Sequence, residues 1–296
     1  MLKKSFHPYA IITILCWALA YVLTRMALQY YSPFALGCLR YCIASLVFIV
    51  VAVKSKMKLP RRQDLPWFIL AGAFGFFLYM IVYNQGQGTV TAATASIVLA
   101  TVPVMTALMA RVFYREKLTW LKWLAIAIEF SGVAVLTLMK TALSMSAGVL
   151  WLLLAALFIS LYNLLVRRLT KTYSPLQTTA FSIFFGTLLL CIFLPASLPE
   201  AVNAPAIQWL YLAILGLFSS ALAYVCWSTA FARAEKTSQV SNYMFITPFL
   251  TSILGFLIAH EIPDRPTLIG GAVILLGVFM FNFGERLFGG KLRVHK

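Results

Sequence analysis

Acidic residues are nearly missing from this chain, with eight Asp and Glu among 296 residues against 24 Lys and Arg. All charged side chains together make up 11%, less than half the ~25% of an ordinary soluble domain. A water-soluble globule of this length could not cover its surface with so little charge. Histidine is as scarce: His7, His260 and His295 are scattered near span ends or termini. There is no HExxH, paired aspartate, GxSxG or phosphate-binding loop, so an intramembrane enzyme or an ATP-driven pump has no visible apparatus. Five cysteines, Cys16, Cys38, Cys42, Cys191 and Cys226, all lie in apolar stretches and form no CxxC pair. That argues against a disulfide framework or zinc site and for packing residues. No metal and no cofactor is expected.

Apolar sequence is what the chain has in quantity, at 62% hydrophobic. It falls into ten runs of the ~20 residues that a helix needs to cross a ~30 Å hydrocarbon core. They are 9–28, 33–53, 66–85, 91–114, 119–139, 147–166, 175–194, 207–231, 238–260 and 266–283. Pro33, Pro66, Pro175 and Pro266 stand where a helix starts, a position that needs no amide donor. Connections are short. A soluble enzyme, a disordered chain and a nucleic-acid-binding module are excluded, and the expected fold is an all-α integral membrane bundle in lipid. No small-residue cleavage site follows the first run, which predicts a retained helix and not a signal peptide.

A net charge of +16 would suggest nucleic acid in a soluble protein; in a membrane it marks cytoplasmic loops. With the N-terminus in the cytoplasm, 20 of the 24 basic residues fall inside. Only Lys140 and Arg265 lie in outside loops, while Arg25 and Arg40 lie within spans. Both termini are then cytoplasmic, in a multi-pass protein of the cell membrane.

The sequence also repeats itself. Tyr31-Ser32-Pro33-Phe34 recurs as Tyr173-Ser174-Pro175-Leu176, and Trp67 recurs as Trp209 at the same offset of 142. Further on, Pro103, Glu116 and Gly132 match Pro248, Glu261 and Gly277 at an offset of 145. Two units of five spans, 1–141 and 142–296, therefore follow one another. Five is odd, so the second is inverted relative to the first. Inverted repeats of this kind mark transporters that rock around a central site.

These residues resemble a known family. The stretch from Trp17 to Arg25 (WALAYVLTR) is similar to the first helix of EamA-type proteins in the drug/metabolite transporter superfamily, with Ala18 and Ala20 where Gly and Asn are usual. Ser32-Pro33 with Arg40, then Ala92 to Ser96, Pro103, Glu116 and Gly132, resemble its second, fourth and fifth helices. Tyr224, Trp227, Pro248, Glu261, Gly270, Gly271 and Gly277 repeat the pattern. The resemblance implies a ten-helix exporter of small metabolites, often amino acids.

Several residues could carry the chemistry. Trp17 and Tyr21 are one helical turn apart, as are Tyr79 and Tyr83, and Ser160 with Asn163 and Tyr224 with Trp227 nearly so. Several lie too deep for an interfacial aromatic belt, and with Asn242 they fit a cavity wall offering stacking surfaces and a few hydrogen bonds. Arg40, two turns inside its span, could attract a substrate carboxylate or bond exposed carbonyls. Its repeat partner is Ser182. Glu129 is the one acidic residue in mid-span, a coupling carboxylate or a structural hydrogen-bonding group, with Ile274 as its counterpart. Pro103 and Pro248 each remove a backbone bond inside a span and predict kinks, moving or static. Small residues, Ala92 to Ser96 and Gly270, Gly271 and Gly277, predict close helix packing.

The expected function is a secondary transporter exporting small amphipathic metabolites by alternating access, with amino acids, bulky or aromatic ones included, as the best fit. Efflux of organic cations and nucleotide-sugar exchange are the alternatives; a channel or an intramembrane enzyme is a different class that the repeat and the missing motifs oppose. Proton exchange, substrate exchange and facilitated diffusion all stay open, as does a homodimer.

Overall fold

The computed structural model describes residues 5–115, 118–138, 147–233, 240 and 242–288. Regular structure among them is helical throughout. We label the helices α1 His7–Ala27, α2 Pro33–Lys54, α3 Arg62–Gln87, α4 Ala92–Tyr114, α5 Trp120–Leu138, α6 Ala147–Leu169, α7 Pro175–Val202, α8 Ala206–Ala230, α9 Thr247–Ala259 and α10 Arg265–Phe288. Among the described residues, eight of these are long and apolar enough to cross a membrane; α9 is apolar but shorter, with 13 residues. The 19-residue α5 carries Lys122 and Glu129.

Local chemistry explains where the helices start. Ser32 and Ser174 hydroxyls accept from the Ala35 and Gln177 amides, and a proline fills the first turn of each helix. This is the arrangement in which no donor is wasted. Thr91 caps α4 in the same way, through the Thr94 amide.

Spans α3, α4, α8 and the expected ninth depart from regular α-helix. Residues 100 and 101 interrupt α4, and Pro103 lies in the first turn of its second segment, Val102–Tyr114. The expected ninth span, 238–260, contains a 3-10 turn, Asn242–Ile246, before α9. Pro248 stands in the first turn of α9, where a missing amide does no harm. In α3 and α8, π-helical segments run over Ala73–Leu78 and Leu215–Leu222, starting 142 residues apart.

Packing is close where glycines permit. In the α5–α10 pair, a Cβ on Gly132 would lie 2.7 Å from the Ile274 amide and 2.8 Å from the Gly270 carbonyl. One on Gly277 would lie 2.6 Å from the Glu129 amide. Backbone meets backbone at both points, so no side chain can be added.

Polar ties close both ends of the bundle. At one end, Glu200 at the end of α7 accepts from the Ser32 amide and hydroxyl, at 2.7 and 2.8 Å. Glu261 accepts from the Ala92 amide at 2.8 Å and from Arg25 Nε at 3.2 Å, and Arg25 also donates to the Gly88 carbonyl. Two carboxylates thus cap the positive N-terminal ends of α2 and α4. At the other end, Tyr173 donates to Asp64 at 2.5 Å and accepts from the Arg61 amide at 3.0 Å. Gln177 Nε2 reaches the Lys58 carbonyl at 2.6 Å, and His7 meets the Tyr243 hydroxyl at 2.5 Å.

Candidate functional site

The centre of the bundle is aromatic. On α1, Trp17 and Tyr21 point the same way because four residues make about one turn. Trp17 packs against Tyr224 and Trp227 of α8, with ring centroids 5.5 and 5.0 Å apart. Tyr21 meets Tyr83 of α3 at 5.9 Å, and Tyr79 stacks on Tyr83 at 5.4 Å. Six of the nine residues expected from the sequence are therefore in direct ring contact. Phe76 extends the first of these groups, touching Tyr224 at 5.4 Å, Tyr41 of α2 at 5.3 Å and Tyr162 of α6 at 5.1 Å. Trp17, Tyr21, Tyr79 and Trp227 keep partial exposure beside the buried Tyr83 and Tyr224.

Arg40 enters this cluster from α2. It is 5% exposed and donates from Nε to the Ser220 hydroxyl at 2.6 Å. Its guanidinium lies 5.7 Å from the Tyr41 ring centroid and within electrostatic range of Tyr21, Tyr79, Tyr83 and Tyr224. Among the described residues no carboxylate pairs with it; the one ion pair found there is Arg25–Glu261 at the bundle end. Ser220 belongs to the π-helical segment of α8.

The other expected residues lie elsewhere. Asn163 donates to the Thr106 hydroxyl on α4 at 3.2 Å, and it is the neighbouring Tyr162 that faces the rings. The Ser160 hydroxyl sits 3.2 Å from the carbonyl of Val102, the residue before Pro103. The Asn242 side chain and Glu116 lie outside the described residues. Glu129 is wholly buried in the α5–α10 pair, and neither carboxylate oxygen has a hydrogen-bond partner among the described residues. It is apart from the ring cluster.

Sequence reasoning missed Tyr41, Phe76, Tyr162 and Ser220. Tyr41 adjoins Arg40, and Phe76 lies three residues before Tyr79, so helical spacing could have found both. Nothing in the sequence signals the π-helical turn that presents Ser220. Two buried amides were also missed. Asn84 donates to the Pro33 carbonyl at 2.8 Å and Gln87 to the Tyr21 carbonyl at 3.0 Å, tying α3 to α2 and α1. Two perimeter cavities, of about 690 and 630 Å³, are lined by other residues. The aromatic rings themselves close on one another.

Comparison with known proteins agrees with this architecture. The profile of the EamA-like transporter family matches twice, over residues 5–138 and 146–283. The uncharacterized transporter YdfC of Bacillus subtilis (strain 168) is 34% identical, over 88% of this chain and 86% of that protein. A protein of Streptantibioticus cattleyicolor named "Probable terminal-alkyne amino-acid exporter" is 30% identical, over 92% and 91%. The S-adenosylmethionine uptake transporter of Rickettsia bellii is 22% identical, over 86% and 84%. A solved crystal structure, 20% identical, superposes with a TM-score of 0.63 over 95% of this chain and 99% of its own, a likeness of fold alone. A chain whose regular structure among the described residues is helical, with membrane-length apolar helices and two family-profile matches, belongs to the EamA-like transporter family, within the drug/metabolite transporters.

Proposed function

We propose that the chain is a secondary transporter that exports small amphipathic metabolites, amino acids foremost, across the cytoplasmic membrane by alternating access. The observation that carries this reading is the ring cluster around Arg40. Helices from both stretches matched by the family meet there, and binding between two halves is how such transporters work.

The arrangement we propose is ten spans in two inverted units, 1–141 and 142–296, with both termini cytoplasmic. Contacts between equivalent positions support it. Ser45 and Thr187, 142 residues apart, share a 2.8 Å hydrogen bond, as a residue beside a two-fold axis meets its own counterpart. Gly132 faces Ile274 while Gly277 faces Glu129, each partner being the other's counterpart at an offset of 145. Arg115 and His260, at the same offset, both end their helices with left-handed backbone. The end tied by Tyr173 and Asp64 carries Lys54, Lys56, Lys58, Arg61 and Arg62, which supports placing it in the cytoplasm.

An amino acid combines a carboxylate, an ammonium and a side chain; the cluster offers a guanidinium, hydroxyls and aromatic faces. The relative named for terminal-alkyne amino acids supports the same class. Relatives are named for uptake as well as export, so direction belongs in the test. An organic cation would need an acid in the cluster, and Glu129 faces α10 instead.

The test is transport of a metabolite panel by purified protein in liposomes, with and without a proton gradient, beside Glu129→Gln. We expect amino-acid transport that the variant retains with its pH dependence intact. Loss of gradient-driven transport with exchange preserved would assign coupling to Glu129. No movement of any amino acid in either direction would overturn the reading.

A further inference from the structure

The transport reading leaves open what the site selects, and Arg40 bears on that. A guanidinium held inside a membrane bundle is costly unless something pairs with it. Arg40 is nineteen-twentieths buried, yet its one hydrogen bond among the described residues is from Nε to the Ser220 hydroxyl, a neutral acceptor. Nη1 and Nη2 have no acceptor among those residues. The charge is not demanded by helix packing, because the equivalent position on α7 is Ser182, which donates to the Thr178 carbonyl of its own helix. Around the guanidinium stand Tyr21, Tyr41, Tyr79 and Tyr83, hydroxyl-bearing rings that supply apolar faces and polar edges.

Resting on the transport reading, we infer that Arg40 is the anchor for a carboxylate of the substrate. The transported class is small carboxylic acids with an apolar or unsaturated body, amino acids among them, and organic cations lacking a carboxylate are rejected. The planar fork matches a carboxylate through two parallel hydrogen bonds, and the pair that forms removes the unmatched charge. The rings then hold the body of the substrate. A bare cation meets like charge and finds no acid to offset it.

Three probes of one shape separate the possibilities: L-phenylalanine, 3-phenylpropionate and phenethylamine. Binding to the purified full-length protein can be read from tryptophan fluorescence, since Trp17 and Trp227 border the cluster. We expect both carboxylates to bind and phenethylamine to bind about 10- to 100-fold more weakly, the range of a charged hydrogen-bonded pair. Arg40→Gln should lose the carboxylate preference, and Arg40→Lys should keep part of it. A purely structural arginine would change melting temperature without changing the order of the three probes. If phenethylamine binds the parent protein as well as the acids do, the assignment falls while the transport reading stands. That also holds if Arg40→Gln keeps the parent's preference. If none of the three binds or moves, the site itself is misplaced and both fall.

Discussion

A single ring can belong to a binding surface or to the core, and burial separates the two at this site. Phe76 is fully enclosed and touches three other rings, so it holds α2, α3, α6 and α8 together. Phe76→Ala should cost about 3–5 kcal/mol of stability and show as a large fall in melting temperature. Trp227 packs on Trp17 but keeps partial exposure. Trp227→Ala should leave the melting temperature near the parent's and weaken amino-acid binding at least about tenfold, ~1.4 kcal/mol. Measuring both quantities in both variants decides the matter; an equal loss of stability in the two would make Trp227 a packing residue. The sequence marks Trp227 and not Phe76, because one of only seven tryptophans, three residues from Tyr224, stands out. A phenylalanine among 22 others does not.

Helices meet here by two devices. One is the small-residue crossing, best seen where α5 and α10 touch through Gly132 and Gly277. Atoms facing a new side chain at position 132 would be the amide of Ile274 and the carbonyl of Gly270. Backbone cannot step aside as a side chain can, so Gly132→Leu should destabilise by about 1–3 kcal/mol or more. Thermal unfolding in detergent would register this, and an unchanged melting temperature would mean that the pair is looser than described. The second device is a carboxylate placed on the N-terminal end of a helix from elsewhere in the chain, as Glu200 and Glu261 do. Spacing predicts the first device, since glycines at matched offsets are visible in the sequence. It cannot predict the second, which joins Glu200 to Ser32 and Glu261 to Ala92 across more than 160 residues.

For the molecule as a whole, apolar run length points to the eight membrane-length helices found among the described residues. Span starts at Pro33 and Pro175 are readable because serine caps and proline first turns are local chemistry. The composite ninth span is not, because five residues are too few to tell about 3.0 residues per turn from about 3.6. Nor is the partner of Asn163, which lies on the second segment of α4, beyond the interruption at residues 100 and 101. Sidedness can be measured directly. Single cysteines at Ser55 and Asn203, in a background without the native five, should label from opposite faces of the membrane in oriented cells. Labelling of both from one face would overturn the ten-span arrangement and with it the inversion of the two halves.

The π-helical segments of α3 and α8 have one more consequence. A π turn is an α-helix that has taken in a surplus residue, with the flanking stretches keeping the orientation they would have had without it. Removing one lipid-facing residue there, such as Leu217, lets the ladder close as ordinary α-helix. Tyr224 and Trp227 then stay turned toward Trp17. The same deletion a few residues further on, inside regular α-helix, swings everything beyond it by about 100°. These two helices therefore contain, beside the aromatic cluster, a place where the chain can be shortened by one residue without losing its aim.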